Sequence, residues 1–121
     1  MPETEQVAAE RALAIVNARV WTGDERRPWA DAVLVRGVRV VGVGSSAEIR
    51  KRAGSASTIV DARAMMVLPS DPEGRIIAGF PASLIVVERA MNAGPLTPRT
   101  EEIVLALEDG VVTIDRDALT R

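Results

Sequence analysis

Short runs of Val, Ile, Leu and Ala fill this chain from residue 13 to residue 115, each closed within a few positions by Gly, Pro or an Asp-Gly pair. That punctuation limits the fold more than any other feature. Apolar, β-branched runs of about four to eight residues between turn signals read as strands. They do not alternate with long helical segments, as a parallel α/β fold would require. "LAIVNARVW" (13–21) is the first strand candidate, and "TGDERRP" (22–28) is a turn-rich break. "ADAVLVRGVRVVGVG" (30–44) reads as a hairpin, with Val33 and Val35 before the turn and Val38, Val40 and Val41 after it. Gly37–Val38 fits a two-residue type II′ turn, which wants Gly first, and a tighter pairing around Arg36–Gly37 is the alternative.

One segment carries a helix signal, "GSSAEIRKRAG" (44–54). Ser45 and Glu48 form a capping box, and Gly54 suits the left-handed position after the last turn. Ile49 is the main apolar anchor of this polar helix, which predicts that it covers a sheet edge and forms no core layer. "STIVDARAMMVLP" (57–69) is two short strands or one bent one, ended by Pro69. "GRIIAGF" (74–80) and "ASLIVVER" (82–89) carry the next strands, "AMNAGPLTPRT" (90–100) is a loop, and "EIVLALEDGVVTID" (102–115) is a hairpin turning at Asp109–Gly110. The expected fold is mainly β: one small β-sandwich over 13–115 with a short helix at about 44–54, a polar leader at 1–12 and a tail at 116–121.

With 121 residues, 47% of them hydrophobic, the chain can fill one ordinary core. A net charge of −2 gives no electrostatic case for nucleic acid or an anionic membrane. No apolar run approaches the roughly 20 residues of a membrane helix. "MPETEQVAAERA" lacks the basic and apolar regions of a signal peptide, so a cytoplasmic location is expected. Cys and His are both absent. This removes thiolate chemistry together with the commonest general base and the commonest transition-metal ligand. Lys51 is the sole lysine.

Four segments, in order, resemble the metal-dependent hydrolases of the amidohydrolase superfamily. "NARVWTGDERRPWADAVLVRGVRVVGVGS" (17–45) resembles the opening of the formamide deformylase-like branch. "IVDARAMMVLP" (59–69) looks like the strand that leads into the family's catalytic (β/α)₈ barrel. "GRIIAGFPASLIVVE" (74–88) resembles the segment after that barrel, of the form G-x-I-x-x-G-x-x-A-D-L-V-V-x-D, and "VLALEDGVVTID" (104–115) resembles the closing hairpin. The resemblance implies a small composite sandwich completed from both sides of an inserted barrel. A barrel of that kind takes on the order of 250 residues, whereas residues 70–73 are all that stand in its place, between an N-terminal half (13–69) and a C-terminal half (74–115). The sequence departs from the family pattern at Ala64, where a turn Gly is usual, at Ser83, where Asp is usual, and at Val38, where Gly is usual.

The family's metal ligands, mostly His and Asp with an occasional carboxylated Lys, have no matching positions here. No catalytic, cofactor-binding or metal-binding residue is therefore expected, and Lys51 reads as a helix surface group. Asp24, Glu25, Asp61, Asp71, Glu73, Asp109, Asp115 and Asp117 match no calcium-loop spacing and read as turn and surface groups. Gly42 and Gly44 precede a helix like a phosphate-binding turn, but Ala47 occupies the third Gly position and no βαβ unit surrounds them. Trp21 and Trp29 flank the 22–28 loop and read as packing partners, with an exposed aromatic patch as the alternative. The expected role is that of a non-catalytic sandwich, inactive alone, serving structure or interaction. A subunit completing a separate barrel chain and a small-ligand sandwich are the alternatives. The partner is expected to be a second copy or another amidohydrolase chain. The dimer would meet near 69–80, because Met65, Met66, Ile77 and Phe80 cannot all turn inward along alternating strands.

Overall fold

A computed structural model describes residues 12–55, 57–71, 73–88, 102–116 and 119–120. Its strands are β1 (Ala12–Val16), β2 (Arg19–Trp21), β3 (Trp29–Ala30), β4 (Ala32–Arg36), β5 (Arg39–Gly44), β6 (Thr58–Asp61), β7 (Met66–Pro69), β8 (Leu84–Val87), β9 (Ile103–Glu108) and β10 (Val111–Asp115), with a helix α1 (Ser46–Ala53). One sheet has the order β5-β4-β1-β6, the other β10-β9-β8-β7-β2-β3. The first comes wholly from the N-terminal half. The second joins both halves through antiparallel pairing of β7 with β8, from Met66↔Val87 to Pro69↔Leu84. The mainly β, two-layered expectation is borne out. The leader (apart from Ala12), the 90–100 loop and Asp117 lie outside the described residues.

The core lies between the sheets. Ile15, Val33, Val35, Val40 and Val60 of the smaller sheet meet Val20, Val67, Leu84, Val86, Leu105 and Leu107 of the larger one. In β1 the alternate residues Ala12, Ala14 and Val16 face the other way, with Ala32 and Leu34 of β4, and receive Ile49 and Ala53 of α1. This corrects the expected edge position of the helix. Small Ala side chains on that face let α1 approach, and Ile49 is fully buried, worth roughly 1.5–3 kcal/mol. The N-cap is as read, with Ser45 Oγ accepting from Glu48 N–H at 3.1 Å, whereas Gly54 combines the positive φ of 78° with an extended ψ of 179° and so is not in the left-handed helical position.

The 13–21 run is two strands and not one. Asn17, at φ 55°, turns the chain from the smaller sheet into the larger. The 57–69 run breaks at the same level, where Arg63 (φ 50°) and Ala64 (φ 69°) form a turn closed by Met65 N–H to Ala62 C=O at 2.8 Å. β1 pairs parallel with β6, and β2 with β7, so the two stretches cross between sheets side by side. Ala64 N–H donates to Asn17 C=O at 2.7 Å, which ties the crossings together. Asp61 accepts from Arg63 N–H (2.9 Å) and from Asn17 Nδ2 (3.3 Å). These bonds, the Arg63 one foremost, hold its carboxyl below the ordinary aspartate value.

Residues 74–80 do not form the expected strand. Only Ile76 is buried, its N–H bonded to Thr22 C=O at 2.8 Å. Gly79, at φ 96°, then folds the chain into an arch, with Gly79 N–H on Val40 C=O and Val40 N–H on Phe80 C=O. Of the four residues expected not to share one side, Met66 is buried, Met65 and Ile77 are half-buried, and Phe80 is 39% exposed. Both hairpin turns stand where expected: Gly37–Val38 with Gly37 at φ 63°, and Asp109–Gly110 with both residues at positive φ.

Candidate functional site

The connection between β7 and β8 is where the chain is shortest relative to the resemblance, and a groove opens there. Ser70 N–H donates to Ser83 C=O at 3.1 Å, extending the β7–β8 ladder one step past Pro69. Asp71 Oδ1 accepts from Glu73 N–H at 2.9 Å, and Asp71 C=O accepts from Gly74 N–H at 2.8 Å, so the connection is a tight Asx-type turn. Arg75 Nη1 donates to Gly23 C=O at 2.9 Å and pins the arch to the 22–28 loop. A concavity of about 590 Å³ lies against this turn, lined by Ser70, Asp71, Arg75 and Phe80 from the connection and by Glu108 and Asp109 from the β9–β10 turn. The Ser70 hydroxyl oxygen is buried without a hydrogen-bond partner.

Asp71, Phe80 and Asp109 were singled out in the sequence. Ser70, Arg75 and Glu108 were not, and no local pattern marks them, because the groove joins segments far apart in the chain. Ser83, standing where the family pattern has Asp, accepts Asp109 N–H at 3.0 Å and so caps the β9–β10 turn. Ala64, standing for a turn Gly, keeps the left-handed conformation that Gly would favour. Val38 needs no such conformation, since Gly37 alone takes positive φ in its turn.

The remaining sequence candidates separate. Asp24 accepts from Arg26 N–H at 3.0 Å, and Asp115 accepts from Leu119 N–H (2.6 Å) and Thr120 Oγ1 (2.6 Å). These are turn-closing roles, and among the described residues no three acidic groups converge on a point that could hold a metal ion. Lys51 is exposed on α1. Gly42 and Gly44 make room for α1 itself: a methyl on Gly42 would collide with the Arg52 guanidinium, and one on Gly44 would lie 2.6 Å from Glu48 Oε1. Arg52 Nη2 donates to Val41 C=O at 3.1 Å across that gap. Trp21 and Trp29 meet edge to face with centroids 5.2 Å apart, and Arg19 stacks 5.3 Å from the Trp29 ring. They pack on each other, although Trp29 remains 42% exposed. Among the described residues no helix is long and apolar enough to cross a membrane.

No family model matches the chain. Over 59 residues, 49% of its length, it is 41% identical to N-substituted formamide deformylase of Arthrobacter pascens, and it spans 11% of that protein. This bears out the resemblance to the formamide deformylase-like branch over about half the chain. Among solved structures it is similar to an uncharacterized metal-dependent hydrolase from Pyrococcus furiosus (20% identity, TM-score 0.45, 49% of this chain and 13% of that one). It is also similar to an enamidase of the amidohydrolase superfamily (31% identity, TM-score 0.41, 49% of this chain and 16% of that one).

Proposed function

We propose that this chain acts as a non-catalytic sandwich of amidohydrolase type whose role is interaction. One observation carries the reading. β7 and β8 are paired neighbours, and the connection between them is taken up by the sandwich itself through Ile76 and the arch on β5. A connection packed in this way leaves the sandwich closed without an inserted barrel, and its surface is then free to meet another chain. The absence of His and Cys from all 121 residues supports the same reading, because a tight zinc site draws on those side chains together with carboxylates. The test is an assay of amine release from N-substituted formamides by the purified chain with zinc added, alongside elemental analysis. The expected outcome is no turnover above buffer and no stoichiometric zinc. Turnover that scales with protein concentration, or about one tightly held zinc per chain, refutes the proposal.

A second reading, a small-ligand site, is favoured by the groove at residues 70–80 with its buried, unpartnered Ser70 hydroxyl. Backbone amide shifts at residues 70–83 and 108–110 on titration with a library of small polar compounds separate it from the first.

A further inference from the structure

Two hairpin tips of opposite charge meet at one end of the sandwich. The β4–β5 tip reads Arg36-Gly37-Val38-Arg39, and the β9–β10 tip reads Glu108-Asp109-Gly110-Val111. They touch through their glycines: a methyl on Gly110 would collide with the Gly37 carbonyl and lie 3.0 Å from Val38 Cα. The arch joins them, with Ala82 N–H on Val38 C=O (2.8 Å) and Gly110 N–H on Ala82 C=O (2.9 Å). These three segments carry most of the exposed large apolar side chains among the described residues: Val38 (55%), Phe80 (39%), Val111 (63%) and Val112 (38%).

We infer that this end docks a second copy of the chain about a two-fold axis passing between the tips. The inference rests on the interaction role proposed above and names its partner. An apolar patch of one charge sign fits many partners. A patch with a basic tip beside an acidic tip is complementary to itself, because a two-fold rotation lays the basic tip of each copy over the acidic tip of the other. Arg39, whose Nη1 donates to Gly79 C=O at 2.9 Å, then turns its remaining donors to the partner's Glu108, and Val38 covers the partner's Val111. The β10 edge does not supply this contact by strand addition, since its register shifts between Val112 and Ile114 and breaks the ladder a partner strand would follow. A contact made by two hairpin tips and the arch alone is expected to be weak, with a dissociation constant on the order of 10–100 µM.

Sedimentation velocity of the full chain, across a concentration series at low and at molar salt, tests this. The expected result is a rise from one to two chain masses that weakens in salt. Arg39→Glu and Glu108→Arg, each checked for folding by circular dichroism, should each weaken self-association by at least about ten-fold, because like charges then face one another. An equimolar mixture of the two variants should restore the dimer, since one then carries acidic groups at both tips and the other basic groups. A monomer at all concentrations, variants that associate like the parent, or a mixture that stays monomeric overturns the inference. Hydrolysis by the chain would instead overturn the non-catalytic role and leave this result standing.

Discussion

Replacing Ala64 by Gly should stabilise the protein. Ala64 sits at φ 69°, the second central residue of a turn closed by Met65 N–H to Ala62 C=O. A side chain in the left-handed region costs roughly 1–2 kcal/mol. Glycine escapes that cost but loses about 0.5–1 kcal/mol through its greater freedom in the unfolded chain. The Ala64 methyl is exposed, so its removal forfeits little burial, and no bond in the turn depends on it. The net expectation is about 0.5–1 kcal/mol of added stability. For a domain of roughly 100 residues this raises Tm by about 2–8 °C. Thermal unfolding by circular dichroism measures it, and urea titration at unchanged m separates a stability gain from a change in the unfolded state. Ala62→Gly is the control, two residues away, with no positive φ and no exposure. There the same substitution should destabilise by about 1 kcal/mol or more. A fall in Tm for Ala64→Gly, or equal effects at the two sites, refutes the claim that left-handed strain is held at Ala64.

Gly110→Ala should destabilise by about 2 kcal/mol or more, because the methyl meets the Gly37 carbonyl at φ 81°; urea unfolding reads it. Ile49→Ala should cost about 2–5 kcal/mol by emptying the only large side chain that α1 buries against β1 and β4, again read as a shift in urea midpoint. The carboxyl of Asp61 is held low in the folded state, so its contribution is present above the unfolded value near 3.9 and is lost as pH falls through the lower folded value. Asp61→Asn should therefore flatten the acid limb of the stability profile below about pH 4 while leaving the slope near neutrality unchanged, as a Tm series in pH will record.

Features fixed by neighbours in sequence were legible before the fold was known. The α1 N-cap needs only Ser45 and Glu48, and the hairpins need only a Gly or an Asp-Gly between alternating runs. Pairing across the 70–73 connection was legible through the resemblance of the flanking segments. The crossings between sheets were legible only in part: the 57–69 run reads as two short strands or one bent one, but the break in 13–21 does not show, and no local rule asks the left-handed conformations that Arg63 and Ala64 take of Arg or Ala. "GRIIAGF" carries an apolar run suited to a strand, yet Gly79 bends it, and only Ile76 finds a place inside. The groove was not legible for another reason: its walls lie 25 or more residues apart in the chain and meet only once β8 and β9 have paired.

The direct pairing of Pro69 with Leu84 has a consequence for how this domain tolerates enlargement. Its two strands leave the ladder about 4.8 Å apart, the spacing of adjacent strands. The turn also sets Gly74 against Pro69, where a methyl would lie 3.3 Å from Pro69 Cβ, so a polypeptide spliced between Ser70 and Gly74 would hang from two neighbouring ends and leave the strand ladders of both sheets untouched. The loop-closure penalty grows only with the logarithm of length, by about 0.6 kcal/mol per doubling. The size of the insert is thus nearly immaterial, and the separation of its ends decides everything. A guest whose termini emerge side by side would fold without disturbing its host, whereas one whose termini lie on opposite faces would prise β7 from β8 and open the larger sheet at its centre.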